Sequence, residues 1–105
     1  MTYLHIAVQA SNEFIVEYLC TKMDVNIKDC LGRTPLHLAV TKDNLNIVKL
    51  LIAAGSDVNS QSISGEIPLT KAIKFNKIEN ARLLLRFGSD TFLVVEVRIS
   101  VIIHI

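Results

Sequence analysis

Apolar positions along the chain follow the spacing of two short helices separated by a polar break. In the middle of the chain this pattern begins at Pro35, is broken near residues 43–46, and resumes over residues 45–54. The second stretch is apolar on most sides, which is typical of a helix packed between neighbours. The pattern therefore predicts a helix over residues 35–42, a loop, and a second helix over residues 45–54.

Start and stop signals support these two helices. Thr34 followed by Pro35 is a helix start, because proline at the first helical position loses no intrahelical hydrogen bond. Gly55 is placed to end the second helix in a left-handed conformation. Residues 56–65 are rich in turn formers and are expected to project as a β-hairpin-like finger. Each unit is thus predicted to be helix, loop, helix and finger.

The same signals return 33 residues later in the chain. The matching pairs are Gly32 and Gly65, Pro35 and Pro68, Ala39 and Ala72, Leu51 and Leu84, and Gly55 and Gly88. An earlier copy begins at Thr2, with its helical part 32 residues before the second copy and its end 33 before. Such a period indicates stacked repeats within one domain, residues 1–105. The residue missing from the first copy falls within 21–26, where a turn is expected to absorb it.

The second copy carries a recognisable signature. Its residues are Thr34, Pro35, Leu36, His37 and Ala39. This Thr-Pro-Leu-His-x-Ala pattern resembles the ankyrin repeat family. The third copy departs from it at Ile67 and Thr70, and the first has Tyr3 where proline belongs. The resemblance implies an all-α ankyrin-repeat solenoid of about three helix-loop-helix units with β-hairpin-like fingers.

The predicted organisation is an incomplete repeat over 1–28, a full repeat over 29–61, a repeat over 62–92 and an atypical C-terminal tail over 93–105. Two interpretations of the tail stay open. Its last residues, IIHI, resemble the PLHL of residues 35–38, which favours a degenerate fourth repeat. Its alternating β-branched residues favour a strand or an irregular capping tail. The segment is too short, and with Glu96 and Arg98 too charged, to span a membrane.

Charge and cysteine content narrow the functional classes. The formal net charge is +1, which disfavours nucleic-acid binding. The chain has no secretory signal pattern and no apolar run of about 18 residues, so no membrane role is expected. Cys20 and Cys30 are its only cysteines, which fits a reducing compartment. We expect a soluble protein located inside the cell, in the cytoplasm.

Enzymatic chemistry is not expected from this sequence. No nucleophile motif, phosphate-binding glycine loop or His-Glu-x-x-His zinc motif is present. His5 and His37 occupy the same repeat position, and the resemblance implies that they are structural hydrogen-bonding residues near the base of a finger. We therefore predict no catalytic residue, no metal and no cofactor.

The resemblance places function on a concave face made of the finger tips and the exposed side of the first helices. The predicted partner-binding residues on this face are Leu31, Arg33, Lys42, Ile63, Glu66, Lys74 and Phe75. Apolar anchors with a charged rim are typical of protein interfaces, and Phe75 is the predicted main anchor. Lys42 and Lys74 would favour an acidic protein partner, whose identity the sequence does not give.

An alternative function belongs to a different class. The chain could be a structural segment of a larger ankyrin array that stacks or self-associates through its uncapped ends.

Asn59, preceded by Asp57 and Val58, resembles the site that asparaginyl hydroxylases modify in ankyrin proteins. The competing interpretation is a turn asparagine that bonds its own backbone.

Overall fold

The computed structural model describes residues 1–88, which form six α-helices arranged as three helix pairs. The helices are α1 (Tyr3–Gln9), α2 (Glu13–Cys20), α3 (Pro35–Ala39), α4 (Leu45–Ala53), α5 (Pro68–Lys74) and α6 (Ile78–Arg86). The described residues contain no β-strand. The prediction of an all-α stack of helix pairs is confirmed, whereas the predicted tail over 93–105 lies outside the described residues.

The helix starts follow the sequence signals. Pro35 and Pro68 open α3 and α5 as predicted. Asn12 precedes α2, and its side-chain oxygen accepts a hydrogen bond from the N–H of Ile15 at 3.1 Å. Asn44 caps α4 in the same way, accepting from the N–H of Asn46 at 3.2 Å. These side chains satisfy backbone groups that have no partner within the helix.

Helix α3 is shorter than the predicted span of 35–42. Beyond Ala39 the backbone tightens, with the N–H of Thr41 bonded to the carbonyl of Leu38 and the N–H of Lys42 to that of Ala39. The Thr41 hydroxyl also donates to the Leu38 carbonyl at 2.7 Å. These bonds span three residues instead of four, so the helix ends in a tighter turn. The predicted end at Lys42 was wrong for this local reason.

The ends of the second helices differ between the first two pairs. After α4, Gly55 adopts a φ of +101°, and the N–H of Ser56 bonds to the carbonyl of Leu51. This is the left-handed helix end that the glycine predicted. The first pair lacks the glycine, and α2 instead closes with the N–H groups of Lys22 and Met23 bonded to Leu19. The residue that the first copy lacks is thus absorbed in the turn after α2, and α1 and α2 both remain intact.

The helix pairs stack into two layers. The first helices, α1, α3 and α5, pack side by side, and so do the second helices, α2, α4 and α6. The buried core lies within and between these layers. Its largest apolar members are Leu4, Leu36, Ile47, Leu51, Ile67, Leu69 and Leu84. Ala39 and Ala72 are also fully buried, which fits the expectation of small residues where helices approach closely.

The segments between the helix pairs are the fingers, residues 24–34 (the first finger) and 57–67 (the second finger). Each finger has a tight turn at its tip. In the first, the N–H of Asp29 donates to the carbonyl of Arg33 at 2.9 Å. In the second, the N–H of Ser62 donates to the carbonyl of Glu66 at the same distance. The fingers are hairpin-like turns that lack the β-strands of a true hairpin.

Candidate protein-binding face

The turn of the first finger is built around the carboxylate of Asp29. One oxygen accepts the N–H groups of Leu31 and Arg33, both at 2.9 Å. The other oxygen lies 2.9 Å from Nε and 2.8 Å from Nη2 of Arg33. Burial alone would raise the pKa of Asp29, but the hydrogen bonds from Arg33 and Leu31 lower it below its usual value. Arg33 therefore holds the finger together as well as lying on the predicted face.

The second finger makes a similar turn with different chemistry. Ser62 stands at the repeat position of Asp29, and its hydroxyl accepts the N–H of Glu66 at 3.3 Å. Glu66 stands at the position of Arg33, and its carboxylate pairs with Nζ of Lys74 at 2.7 Å and of Lys71 at 3.5 Å. The hydrogen bond from Lys74 is the main cause that lowers the pKa of Glu66. Glu66 thus links the second finger to α5.

The two finger tips contact each other through their backbones. The N–H of Ile63 donates to the carbonyl of Leu31 at 2.9 Å. Gly32, with a φ of +74°, lies so close that a Cβ there would be 2.9 Å from the nitrogen of Ile63. The side chains of Leu31 and Ile63 remain 52% and 75% exposed. We call these two residues the finger-tip strip, an exposed apolar surface on two joined turns.

Phe75 and Lys42 lie at the far ends of the first helices. Phe75 is the exposed C-cap residue of α5, and Lys42 occupies the equivalent position after α3, where it is half-buried. Seven residues separate Phe75 from Pro68, which corresponds to about 10 Å along a helix. The predicted residues therefore form two groups, one at the finger tips and one at the helix ends. Lys74 and Glu66 connect the two groups.

The two predicted structural histidines join each helix pair to the finger that follows it. Nε2 of His5 lies 2.7 Å from the carbonyl oxygen of Arg33, and Nε2 of His37 lies 2.8 Å from that of Glu66. The N–H of Thr34 donates to Nδ1 of His37, so Nε2 of His37 carries the proton and donates to Glu66. Burial is the main cause that lowers the pKa of His37. The structural role implied by the resemblance is confirmed.

Asparagine side chains form a second set of links that the sequence analysis did not foresee. Oδ1 of Asn26 accepts the N–H of Asp57 at 2.6 Å, and its Nδ2 donates to the carbonyl of Gly55 at 3.2 Å. Asn59 repeats the second contact one unit later, donating to the carbonyl of Gly88 at 3.2 Å. The N–H of Asn59 donates to Asp57 Oδ1 within its own turn at 3.0 Å, and its side-chain amide also reaches the next helix pair. Hydroxylation of Asn59 stays a prediction.

Asn80 is another buried polar residue that links two helix pairs and that the sequence analysis missed. It is buried in α6, and its Nδ2 donates to the carbonyl of Val40 at 2.9 Å and to that of Lys42 at 3.0 Å. These carbonyls belong to the tight turn after α3 and have no helical partner. The repeat does indicate that Asn80 is buried, since it occupies the position of Ile47, a core residue of the second pair.

Among residues 1–88 no group of three or more His, Cys, Asp or Glu side chains could hold a metal ion. Both cysteines have free thiols. Burial is the main cause that raises the pKa of Cys20, which makes its thiol less reactive. Across the same residues, no helix combines the length and the hydropathy that crossing a bilayer requires.

Comparison with known proteins agrees with this architecture. A model described as ankyrin repeats in three copies matches residues 1–62, and a second ankyrin model matches residues 42–85. An ankyrin repeat protein of Rickettsia bellii (strain RML369-C) is 48% identical over 54 residues, which are 51% of this chain and 33% of that protein. One from Rickettsia felis (strain ATCC VR-1525 / URRWXCal2) is 42% identical over 52 residues, covering 50% of this chain and 14% of the relative.

A fowlpox virus (strain NVSL) ankyrin repeat protein is 43% identical over 54 residues, 50% of this chain and 12% of the viral protein. The chain therefore spans a third or less of the length of these three relatives. Together the matched models span residues 1–85, which include all but the last residue of the three helix pairs. The chain belongs to the ankyrin repeat family.

Proposed function

We propose that the chain binds a partner protein through the finger-tip strip and the adjoining charged residues of the first helices. Ankyrin repeats are generally protein-interaction modules. The observation that carries the proposal is the pair of exposed apolar side chains, Leu31 and Ile63, held side by side by a backbone hydrogen bond. Because hydrogen bonds within and between the turns already hold their backbones in place, little conformational entropy is lost when a partner covers them.

Charge around the strip favours an acidic partner. Lys74 and Lys71 share the single carboxylate of Glu66, so two positive charges face one negative charge. Within residues 1–88 neither Lys28, beside the fingers, nor Lys42, at the far end of α3, takes part in an ion pair. This excess of positive charge would speed association with an acidic protein and make binding weaken as salt increases. The proposed partner segment therefore combines an apolar side chain for the strip with neighbouring carboxylates.

Arg33 and Glu66 have a more limited part in this proposal than the sequence suggested. Both are engaged in ion pairs that shape the fingers, with Asp29 and with Lys74. Their charges are partly neutralised before any partner arrives. We assign them to the rim, where they position the strip, and keep Phe75 as a second apolar contact at the end of α5.

A display library of random peptides provides a test that does not require the natural partner. Peptides selected on the immobilised chain would be synthesised, and their affinities measured by fluorescence anisotropy for a Leu31→Ser, Ile63→Ser double variant. We expect binding to weaken about fivefold or more, which corresponds to about 1 kcal/mol. Selected peptides should also be enriched in acidic residues.

The matched control is Phe14→Ser, which removes an apolar side chain that is even more exposed but lies on α2, away from the fingers. This variant should bind the selected peptides with unchanged affinity. Equal losses for the control and the double variant, or no loss for the double variant, would contradict the proposed face.

A further inference from the structure

The second helices share one repeat position that is exposed in all three pairs. It holds Phe14 in α2, Asn46 in α4 and Glu79 in α6, and each of these residues is exposed. Asn46 stays exposed although α4 packs against α2 on one side and against α6 on the other. The position therefore faces water because of its place on the helix, and neighbouring pairs leave it uncovered. Phe14, which is 84% exposed, is the apolar exception among the three.

Phe14 borders an open cavity of about 490 Å³ between α2 and α4, which we call the α2–α4 groove. Leu50, half-buried on α4, adds a second apolar side chain to its lining. The charged residues of the lining are Glu13 and Glu17 on α2 and Lys49 on α4. The groove thus combines an apolar surface with two carboxylates and one ammonium group, which gives it an excess of negative charge.

The two carboxylates of the groove lie four residues apart, so they share one side of α2, with roughly 5–6 Å between their Cβ atoms. Within residues 1–88 none of Glu13, Glu17 and Lys49 takes part in an ion pair. Glu13 lies in the first turn of α2, where a carboxylate favours the helix. Glu17 lies in the second turn, and its equivalents in the other pairs are the basic residues Lys49 and Arg82. The repeat itself therefore does not require a negative charge there.

We propose that the α2–α4 groove binds a basic, amphipathic segment of a partner protein. An apolar side chain of that segment would pack on Phe14 and Leu50, because an exposed aromatic ring offers a large contact area with few rotatable bonds. Lysine or arginine side chains beside it would pair with Glu13 and Glu17, whereas an acidic segment would be repelled. The groove lies on the second helices and is acidic, while the finger-tip strip lies on the turns and is surrounded by lysines. The two surfaces therefore select partners of opposite charge.

The test uses a display library of random peptides selected on the Leu31→Ser, Ile63→Ser double variant, which lacks the finger-tip strip. We expect the selected peptides to be enriched in lysine, arginine and large apolar residues, and to bind the wild-type chain with the same affinity in fluorescence anisotropy. Phe14→Ser should weaken binding about fivefold or more, and so should the Glu13→Gln, Glu17→Gln double variant. The loss in the double glutamine variant should shrink as salt is raised, because this variant removes only charge.

The matched controls are Ile78→Ser and Glu79→Gln, which remove an exposed apolar side chain and an exposed carboxylate from α6, outside the groove. Both should leave the affinity unchanged, and circular dichroism would establish that all variants keep their helices. Failure to enrich basic peptides would overturn the proposal, as would a loss in the controls equal to that in Phe14→Ser.

Sedimentation equilibrium tests the alternative occupant, a second copy of this chain. Self-association of the wild-type chain that Phe14→Ser abolishes would assign the groove to that copy and overturn the proposal. The expected result is the single-chain mass of 11.7 kDa, or association that Phe14→Ser leaves unchanged. Because the groove peptides are selected on a chain without the finger-tip strip, either binding proposal can fail alone.

Discussion

The two interfaces between successive helix pairs use the same positions but different chemistry. Where the second pair packs on the first, α3 and α4 contribute Leu38 and Ile47, which are apolar and buried. Where the third pair packs on the second, the equivalent positions hold Lys71 and Asn80. Asn80 is buried as deeply as an apolar residue, yet its amide is bonded to the carbonyls of Val40 and Lys42.

The difference shows how a repeat can vary its stacking surface without changing its architecture. An apolar residue contributes burial that depends little on orientation, whereas a buried amide requires its partners at defined positions. The second interface gives up apolar contact but gains two directional bonds that fix the third pair against the end of α3.

The largest effect is expected at the fully apolar part of the stack. Leu51→Ala removes a completely buried side chain from α4 and should lower the free energy of unfolding by about 2 to 5 kcal/mol. Urea denaturation would measure this loss. Leu31→Ala, at an exposed finger tip, should change stability by less than about 0.5 kcal/mol. The opposite ranking would contradict the assignment of core and surface positions.

The contact between the fingers predicts a difference between two glycines with positive φ. Gly32→Ala should cost about 1 to 3 kcal/mol, because φ is +74° and the added Cβ would approach the nitrogen of Ile63 at 2.9 Å. Gly55→Ala, with φ of +101° but no atom within 4 Å of the added Cβ, should cost less. Thermal melts of the two variants measure the difference. Equal losses would mean that the contact between the fingers is unimportant.

Asn80→Ile sharpens the comparison directly, because it gives the third pair the residue that the second pair has at Ile47. Although isoleucine is more apolar, we expect a loss of about 1 to 3 kcal/mol, since the carbonyl of Val40 is left buried without its partner. Urea denaturation provides the value. A stabilised variant would indicate that the second interface is limited by apolar area and not by its hydrogen bonds.

Acid should weaken the interface between the second and third helix pairs through His37, which bonds to Glu66 in the second finger. Its folded pKa lies below the ordinary value of 6.5, so below pH 6.5 the unfolded chain binds more protons. Stability is therefore complete above pH 6.5 and is lost as pH falls towards the folded pKa. The ordinary pKa values of Glu66 and Asp29 are 4.5 and 3.8, and both are lowered on folding.

The interval between pH 6.5 and 4.5 therefore separates His37 from these two carboxylates. Thermal melts across this interval should show falling stability for the wild-type chain. His37→Gln, whose amide can still donate to the Glu66 carbonyl but does not titrate, should flatten the slope. An unchanged slope in this variant would assign the acid sensitivity to other groups.

Much of this architecture could be predicted because the residues that start and end the helices lie within each repeat. Pro35 and Pro68 mark helix starts and Gly55 marks a helix end, so α3, α5 and the turn at Gly55 followed from residue type and spacing. The early end of α3 could not be predicted, since it depends on the hydroxyl of Thr41 bonding the Leu38 carbonyl. Such a choice between local hydrogen bonds is not visible in a hydrophobic pattern.

The candidate binding site was harder to predict because the residues that contact each other there are distant in sequence. Leu31 and Ile63 were both predicted at finger tips, but they are not equivalent repeat positions, and the bond between their backbones requires the folded stack. Asn80 was missed because asparagine in a helix is typical of the surface, and only its repeat position indicates burial. Asp29 and Arg33 are four residues apart, and this short spacing of opposite charges could have predicted their ion pair.

Methyl NMR of the chain with a selected peptide added would show whether partners bind at the finger-tip strip. The leucine and isoleucine methyl groups report in one spectrum on the strip and on Ile6 and Ile15, which are exposed on α1 and α2. We predict that the largest shifts occur at Leu31 and Ile63, with Ile6 and Ile15 unchanged. Largest shifts at Ile6 and Ile15, with Leu31 and Ile63 unchanged, would contradict the claim and place binding on the end of the stack.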